Sequence, residues 1–479
     1  MSSTIKQMTM KKLIILIAII ATMQSCNKFG DTNVSPTLLT AASTKALLTN
    51  SEQSIKGLVF GTRYANFYIQ HLSEGPYPGS SLYSDRNVSS GSFYTGPLYN
   101  LQTIIDYNNS GDASSVGNGS KNNQIAAARI LKVYFYMLAT NIWGDLPYSD
   151  ALKANKNYTP KYDSQSDIYT ALFKELTESG AQINTAEQGV VGDILFNGDM
   201  AAWKRFANTI RMALAINVSK ANAALGKTEF ANALAAGVIT SNTQNIMYKF
   251  VTGDPNNYNP WYDNYTVSKR DDYAISKTMT DYMSVKSDPR LSIYAETLAG
   301  GVIKGLPYGI LATPITNAYS RIGNTLRDQG SPLPIFTYAQ VLSWQAEAAK
   351  LGYVTGGDTE AAAKYLASIK ASWEQYGVYD ATKYAAYIAT VAYTAATGQK
   401  QIVTERWVHT YLNSWDSWND WRRTGFPVLT AAPTTVDSRG IPFRLSYSTT
   451  EPALNPTGYN DAIAKQGADD NYTKMWLFK

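Results

Sequence analysis

Residues that carry most enzyme and metal chemistry are scarce in this chain. Among 479 residues there are one cysteine, Cys26, and two histidines, His71 and His409. The histidines lie far apart in the sequence. Neither has a cysteine or clustered carboxylates at ligand spacing, as a zinc site or a Ser-His-Asp triad would need. No glycine-rich dinucleotide motif follows a strand pattern, and no phosphate-binding loop is present. The sequence therefore predicts no metal and no cofactor. His409, in a predicted helix over 402–412, is expected to be a packed or surface residue.

Clustered positive charge is also missing. The formal net charge is +5, and no block of lysine and arginine occurs. Nucleic-acid binding depends on such a block to neutralise phosphates, so no nucleic-acid partner is expected. Beyond the N-terminal region, no apolar segment approaches the roughly 20 residues that a membrane-spanning helix needs.

The N-terminal region has the pattern of an export signal that ends in a cysteine. Lys11 and Lys12 precede a short apolar run over 13–21, and Cys26 follows after four more residues. A positive segment, a short apolar segment and a small residue before the cleavage point are typical of a secretory signal. A lone cysteine at that point is typical of a bacterial lipoprotein, in which the thiol carries lipid. The alternative is an ordinary signal peptide with an incidental cysteine.

This pattern divides the chain into three predicted parts. Residues 1–25 are the lipoprotein signal peptide, 26–36 form a polar tether to the lipid, and 37–479 form a large domain. Removing the first part takes away three lysines and no acid, which lowers the net charge from +5 to +2. After lipidation no cysteine would remain for a disulfide, so a large core must stabilise the exported domain.

Apolar spacing predicts a chain made mainly of helices. Over 123–141, apolar residues recur every three or four positions, which is the spacing of one helix face. Ser166 is the expected N-cap of a second helix, and Asp199 is the expected entry to a third. Strand patterns are few and short, so the predicted fold class is mainly α.

Two helices near residue 350 have the clearest boundaries in the sequence. Thr337 and Gln340 predict a capping box at the start of one helix, which should end at Gly352. A second helix is predicted from Asp358 to Gly377. Helices joined by so short a loop form an antiparallel hairpin.

Two long loops interrupt the helical pattern. One covers 74–100 and the other 254–273, and both are rich in aromatic and small polar residues. Loops of this length in a compact domain are usually functional or disordered, and their aromatic content argues against disorder. We therefore expect them to have a function.

Short segments spread along nearly the whole chain form a recognisable set. They are DTNVSP at 31–36, WGDLPY at 143–148, RFANTIR at 205–211, RDDY at 270–273, DPRL at 288–291, AEA at 346–348, WNDWRRTGFP at 418–427, IPFR at 441–444 and KQGADD at 465–470. In this order and spacing they resemble the SusD/RagB family of surface lipoproteins of the Bacteroidetes, in particular its SusD-like second branch. The C-terminal segments are the most specific of the set.

The resemblance implies a helical fold of TPR-like hairpins, with long loops and a few short strands inserted on one side. Members of the family are lipid-anchored in the outer membrane and face the cell exterior. They bind a nutrient, commonly a glycan, and cap a SusC-like TonB-dependent transporter. They are not enzymes. The partners implied for this chain are therefore an oligosaccharide, the outer membrane and a SusC-like transporter.

Glycan binding would fall on the loop aromatics. Pyranose rings have apolar C–H faces that stack on tyrosine and tryptophan, and their hydroxyls need polar partners at the rim. Rigid aromatic rings also lose little entropy on binding. Trp261 and Tyr262 are the predicted stacking platform, with Tyr83 and Arg86 opposite. The other candidate ligand residues are Tyr77, Tyr258 and Tyr265. The alternative is that these rings fill loop cores or face the transporter.

The tryptophans of the segment at 418–427 are predicted to be structural. Trp418 and Trp421 lie one helical step apart, beside Arg422 and Arg423. Within the most family-typical segment, these residues are expected to be buried. The arginines should pair with carboxylates and stack on rings.

Three alternative functions stay open at this point. A glycosidase needs only two carboxylates, about 5 Å or about 6.5–9.5 Å apart. The adjacent acids at 271–272 and 469–470 are instead predicted to be structural, either capping helices or pairing with Arg270 or Lys474. The second alternative is the same fold binding peptides. The third is a structural lipoprotein without a small ligand.

Overall fold

The computed structural model describes residues 42–84, 88–433 and 438–479, and helices dominate them. The longer helices are α1 (Thr44–Ile55), α2 (Tyr64–Tyr68), α3 (Tyr99–Ser110), α4 (Lys121–Trp143), α5 (Gln165–Gln182), α6 (Met200–Asn217), α7 (Ala223–Ala236), α8 (Lys277–Ser284), α9 (Tyr338–Lys350), α10 (Gly357–Gln375), α11 (Ala381–Thr390), α12 (Gly398–His409), α13 (Trp415–Thr424) and α14 (Pro456–Gln466). Short helical turns lie at Gly91–Phe93, Pro260–Tyr262, Leu291–Tyr294 and Glu451–Leu454.

Consecutive helices pack against each other as neighbouring pairs. The pairs are α3 with α4, α4 with α5, α6 with α7, and α9 with α10. Helix α12 packs back onto α9 and α10. This arrangement confirms the predicted mainly α fold built from helical hairpins.

Two small antiparallel sheets connect parts of the chain that are distant in sequence. Strand β1 (Leu72–Glu74) pairs with β3 (Tyr273–Ile275), and β2 (Ile246–Tyr248) pairs with β4 (Leu333–Phe336). Neither pair is a hairpin. Each sheet therefore fixes two separate segments of the chain beside each other.

The capping box predicted at residue 337 is present. Thr337 Oγ1 accepts from the backbone N–H of Gln340 at 3.2 Å, and the Gln340 side chain accepts from the backbone N–H of Thr337 at 2.9 Å. Gly352 and Gly377, the predicted stops of this helix and the next, both have positive φ. Residues with L side chains rarely adopt that conformation, so glycine suits these helix ends.

The predicted N-cap of α5 is wrong by two residues. Ser164, not Ser166, accepts the backbone N–H of Asp167 with its hydroxyl, at 3.1 Å. The extended backbone before the helix ends at Asp163, which pairs with Leu146 through two backbone hydrogen bonds. The helix therefore begins directly after this tertiary contact, which local sequence does not show. The predicted entry of α6 at Asp199 is confirmed.

Helix α4 is the central core helix. Of the described residues, α4 alone is long and apolar enough to cross a membrane by length and composition, and 89% of its apolar window is buried inside the protein. That burial identifies it as a core element of the fold.

The C-terminal end of α4 is completed by residues from much later in the chain. The Asn141 carbonyl accepts from Arg422 Nη1 at 2.7 Å, and the Trp143 carbonyl accepts from Gln466 Nε2 at 3.1 Å. The Ile142 carbonyl accepts from the backbone N–H of Leu445 at 3.1 Å. Carbonyls at a helix end have no partner within the helix, so residues between 422 and 466 act as its cap.

A buried ion network holds α9, α12 and α13 together. The Glu347 carboxylate accepts from Arg423 Nη1 at 2.7 Å and from Arg406 Nη2 at 2.5 Å. Asp420 completes the network, accepting from Arg406 at 2.6 Å and from Arg423 at 2.7 Å. Burial alone would raise the pKa of Glu347, but the two guanidinium groups outweigh it and hold that pKa at about 2. The arginine pairing predicted for the segment at 418–427 is therefore confirmed for Arg423.

Trp418 is fully buried, and Arg422 stacks on it. The Arg422 guanidinium carbon lies 3.7 Å from the centroid of the Trp418 ring. Its Nη1 also donates to the carbonyl of Phe443 at 3.0 Å. The structural role predicted for Trp418 is confirmed, whereas Trp421 is half-buried and packs on Phe443.

Both histidines are packed inside the protein. His71 Nε2–H donates to the Trp407 carbonyl at 2.6 Å, and His71 Nδ1 lies within hydrogen-bond distance of the Ser414 hydroxyl, at 2.7 Å. Burial lowers the pKa of His71 to about 3, although the bond to the Trp407 carbonyl partly opposes this. His409 is buried against Arg290 and Ser368. Both imidazoles are therefore structural and neutral.

Candidate ligand-binding surface

Strand pairing brings the two predicted loops together. In the β1–β3 register Glu74 lies opposite Tyr273, so the loop that follows β1 and the loop that precedes β3 meet at the same end of this sheet. The backbone N–H of Gly75 donates to the Asp272 carbonyl at 3.0 Å, and the Gly75 carbonyl accepts from the backbone N–H of Thr313 at 3.0 Å. Three distant segments of the chain therefore meet at Gly75.

Glycine at position 75 is required by this close approach. A Cβ atom there would lie 2.3 Å from Ile315 Cγ1 and 2.8 Å from the Thr313 carbonyl oxygen. Both separations are too short for real contacts. The absence of a side chain at Gly75 therefore lets the 313–315 segment pack against the two loops.

Both loops contain more regular structure than predicted. The 254–273 loop has helical turns at Pro255–Asn257, Pro260–Tyr262 and Asp263–Val267. Asn259 begins the second of these, its side chain accepting from the backbone N–H of Trp261 at 2.9 Å. In the 74–100 loop the chain is helical from Gly91 onward. Asparagine caps and proline at the first helical position provide local start signals for such short turns.

Four of the predicted ligand residues lie at the surface. Tyr77 is 65% exposed and Tyr265 is 39% exposed. Tyr258 and Tyr262 are half-buried and pack edge to face, with ring centroids 5.4 Å apart. These tyrosines present ring area to solvent on the joined loops.

Arginines lie against the two most exposed rings. The Arg270 guanidinium carbon is 5.2 Å from the Tyr77 ring centroid, and that of Arg327 is 3.9 Å from the Tyr265 ring centroid. Both are cation–π contacts, which orient a ring and keep a hydrogen-bond donor beside it. The tyrosine–arginine surface, as we name Tyr77, Tyr258, Tyr262, Tyr265, Arg270 and Arg327, therefore combines stacking area with donors.

Two of the predicted ligand residues are buried. Trp261 is 2% exposed and packs between Arg63 and Tyr273, at 5.0 Å and 6.0 Å from its ring. Tyr83 is fully buried, with its hydroxyl accepting from the backbone N–H of Ala432 at 3.2 Å. Burial also raises the pKa of Tyr83. In this structure both rings support the loops from beneath rather than offering a face to solvent.

Two further predicted residues lie outside the part of the chain that the structure describes. They are Arg86, which was predicted to lie opposite the stacking platform, and Cys26, which was predicted to carry the lipid. The same holds for the predicted signal peptide and tether over 1–36.

Sequence reasoning did not single out Arg321 and Arg327. Arg321 Nε donates to Asp271 Oδ1 at 2.5 Å, and its other nitrogens donate to the carbonyls of Ile315 and Tyr319 at 2.9 Å and 2.6 Å. It therefore ties a third segment to the 254–273 loop. No local pattern marks either arginine, because their contacts on the 254–273 loop, Asp271 and Tyr265, are distant in the sequence.

The tyrosine–arginine surface is a platform rather than a cleft. The depression bordered by Trp261, Tyr265, Arg270 and Arg327 has a volume of only about 10 Å³. That is about the space of one water molecule. A ligand here would lie across the surface, with single groups entering the depression.

The adjacent acids are engaged in ion pairs. Asp272 accepts from Arg270 Nε at 2.7 Å, as predicted. Asp469 and Asp470 pair with Arg444 and Arg439, at 3.2 Å and 2.8 Å. The predicted partner Lys474 instead lies over the Phe443 ring, at 5.0 Å. Within 42–84, 88–433 and 438–479, no group of three or more His, Cys, Asp or Glu side chains is placed to hold a metal ion.

The described residues thus define a helical fold of packed hairpins with aromatic residues on inserted loops. Residues 33–448 match the SusD-like family described as "Starch-binding associating with outer membrane", and the chain belongs to that family. The resemblance to this family that the sequence segments indicated is therefore confirmed. Among curated proteins, none matches the chain.

Solved structures of SusD-like proteins share this fold. A chitin-binding protein is 28% identical, with a TM-score of 0.80, and the match covers 91% of this chain and all of that one. A chitin-binding SusD homologue from Flavobacterium johnsoniae is 23% identical, with a TM-score of 0.78 over 91% of this chain and 98% of that one. A SusD homologue from Bacteroides fragilis is 22% identical, with a TM-score of 0.77 over 91% and 100% of the two chains.

Proposed function

We propose that this protein binds an oligosaccharide on the tyrosine–arginine surface and delivers it to a SusC-like TonB-dependent transporter. It does so from the outer face of the outer membrane, held there by lipid on Cys26. It breaks no bond in its ligand. Binding and release are then its whole activity.

One observation carries the proposal: the Arg270 guanidinium lies against the exposed Tyr77 ring of one loop and borders the same depression as the exposed Tyr265 ring of the other. Stacking on a sugar ring needs an aromatic face that solvent can reach, which Tyr77 and Tyr265 have. Hydroxyl groups need donors and acceptors at the rim, and the half-exposed Arg270 guanidinium lies against the Tyr77 ring. The arrangement supplies both kinds of contact to one ligand.

The family and one relative support a glycan over other nutrients. The family description names starch, and the 28% identical relative is described as chitin-binding. Both are neutral polymers of pyranose units. A shallow platform suits such polymers, because only part of a long chain has to lie on it.

The pairing of the acids supports a role without catalysis. Asp271 and Asp272, the adjacent acids of the 254–273 loop, are each paired with an arginine. A glycosidase needs one carboxyl group that donates a proton and a second that acts as nucleophile or base. A guanidinium partner stabilises the ionised form and opposes proton donation.

Isothermal titration against maltoheptaose, chitohexaose and a panel of short peptides tests the ligand class. We expect heat of binding with at least one of the two oligosaccharides and a loss of at least fivefold in affinity in the Tyr77→Ala/Tyr262→Ala variant. Tyr379→Ala, which removes another partly exposed tyrosine, is the matched control and should bind normally. Heat with peptides alone would replace the glycan by a peptide ligand.

Three further measurements test the remaining parts of the proposal. New reducing ends on incubation with starch or chitin would show a glycosidase and overturn the non-catalytic role. Purification from native membranes should bring down a TonB-dependent barrel, and its consistent absence would favour a structural lipoprotein. Mass spectrometry of the native N-terminus should find lipid on Cys26, and an unmodified thiol there would remove the anchor.

A further inference from the structure

An aromatic cavity lies apart from the tyrosine–arginine surface. It has a volume of about 630 Å³ and is formed by the segment before α3, the segment over 147–162 and the short helix Glu451–Leu454. This volume is in the range of small-molecule binding sites. None of its lining residues belongs to the tyrosine–arginine surface.

Two tyrosines at this cavity are unusually open to solvent. Tyr158 is 79% exposed and Tyr99 is 43% exposed. Neither ring packs on another aromatic ring or under a cation among the described residues. Leaving a large ring in water forfeits the stabilisation that burial would give. Rings left open beside a cavity are therefore available to cover the face of a ligand.

The polar groups at the cavity favour a neutral, hydroxyl-rich ligand. Its two charged lining side chains are already engaged, since Lys153 pairs with Asp150 and Glu451 accepts from the Tyr162 hydroxyl at 2.7 Å. In the described part of the chain, the Asn155 amide and the hydroxyls of Tyr99 and Tyr158 make no hydrogen bond. Unengaged neutral donors and acceptors suit sugar hydroxyls better than a charged group.

The 151–155 segment, which lines this cavity, also lines a neighbouring one. This further cavity of about 600 Å³ shares Tyr99 and residues 151–155 with the first, and its other lining includes the charged side chains of Asp106, Lys132, Lys156 and Glu175. In this shared wall Leu152 and Ala154 both have positive φ, at 63° and 50°. That backbone conformation is strained for residues other than glycine, and such strain is concentrated at ligand-binding segments. The two cavities flank one unusual wall and together offer room for several sugar units.

We infer that these cavities form a second oligosaccharide-binding groove, in which Tyr158 and Tyr99 stack on pyranose rings and Asn155 bonds their hydroxyls. The inference rests on the proposed function, because it assigns the same class of ligand to a separate place. Two binding sites on one molecule hold a long polymer more firmly than either site alone, since the second contact is intramolecular.

Calorimetric stoichiometry with maltoheptaose and chitohexaose tests the groove. The wild-type protein should bind two equivalents of the oligosaccharide it recognises. The Tyr99→Ala/Tyr158→Ala variant should bind one, and the Tyr77→Ala/Tyr262→Ala variant should retain the other. Tyr158→Phe keeps the ring and should keep both equivalents. Tyr379→Ala is again the matched control. Both groove tyrosines are exposed, so circular dichroism should show an unchanged fold in every variant.

The outcomes separate the groove from the proposed function. One equivalent in the wild-type protein, lost in the Tyr77/Tyr262 variant and unchanged in the Tyr99/Tyr158 variant, would overturn the groove and leave the proposed function standing. Binding of neither oligosaccharide by the wild-type protein would overturn both. A loss in Tyr158→Phe equal to that in the Tyr99→Ala/Tyr158→Ala variant would overturn ring stacking as the basis of recognition.

Discussion

Arg270 and Tyr77 come from different loops, and the guanidinium of Arg270 lies against the Tyr77 ring at 5.2 Å. The same guanidinium donates through Nε to Asp272 at 2.7 Å, so it is held by a buried carboxylate next to β3. Tyr77 is therefore positioned by a chain of contacts that starts in the strand pair. A preordered ring loses less conformational entropy when a ligand stacks on it.

Replacement of Arg270 by alanine should weaken oligosaccharide binding and also lower stability. The cation–π contact is solvent-exposed and worth about 0.5–1 kcal/mol, and a lost donor to the ligand adds a similar amount. Titration should therefore show about a fivefold to tenfold loss of affinity. The melting temperature should also fall, because the buried Asp272 carboxylate loses its cation and, among the described residues, keeps only Asn264 as a side-chain partner. Lys204→Ala, an exposed cation on α6, should leave affinity unchanged. Equal affinity in Arg270→Ala would remove Arg270 from the site.

Gly75→Ala should disturb the surface from beneath. The added methyl group would enter the space of Ile315 and the Thr313 carbonyl, so these segments must separate. Overpacking of this kind costs about 1–3 kcal/mol, which chemical denaturation should detect as a lower midpoint. We also expect weaker oligosaccharide binding, because the loops share this contact.

Gly57→Ala is the matched control for this change. A Cβ atom at Gly57 meets nothing within 4 Å. It should leave both stability and binding within measurement error or raise stability slightly, since alanine is the better helix former. Equal behaviour of the two alanine variants would contradict the packing described at Gly75.

Glu347→Gln should be strongly destabilising. It removes the carboxylate that neutralises Arg406 and Arg423 in a fully buried position. Breaking a buried ion pair from one side costs about 3–5 kcal/mol. Urea denaturation should register that loss. Glu360→Gln, which breaks the exposed pair with Lys364, should change stability by less than about 0.5 kcal/mol. A small effect at Glu347 would mean that the network is open to water.

His71 should make the protein sensitive to acid. Its folded-state pKa is about 3, well below the ordinary value of 6.5, so the unfolded chain binds the proton more readily. The stabilisation is complete above about pH 6.5 and is lost as the pH falls towards 3, at about 1.4 kcal/mol per pH unit.

The His71→Gln variant isolates this contribution. Glutamine keeps a polar side chain near Trp407 and Ser414 but does not titrate. Unfolding free energies between pH 6 and pH 4 should therefore fall less steeply in the variant, by about 1 kcal/mol per pH unit. His409 still titrates in both proteins and cancels in the comparison. Parallel curves would show that His71 is not buried as described.

Features encoded by neighbouring residues were predictable from the sequence. The capping box of Thr337 and Gln340 and the stop at Gly352 depend on a few adjacent side chains and one backbone angle. The start of α5 was missed because Ser164 and Ser166 both suit a cap. The choice between them depends on the pairing of Asp163 with Leu146, which is a tertiary contact.

The ligand surface was predictable in composition but not in detail. The aromatic content marked the loop over 254–273, yet Trp261 and Tyr265 have similar sequence surroundings and opposite exposure. Trp261 is buried because Arg63 and Tyr273 converge on it from other elements. The β1–β3 pair and the contacts of Arg321 also join distant segments, so no local pattern announces them.

The cap on α4 determines when, during translation, the protein can complete its core. The carbonyls of Asn141, Ile142 and Trp143 at the end of this central helix accept from Arg422, Leu445 and Gln466, so the interior of the protein cannot be completed until translation has passed residue 466.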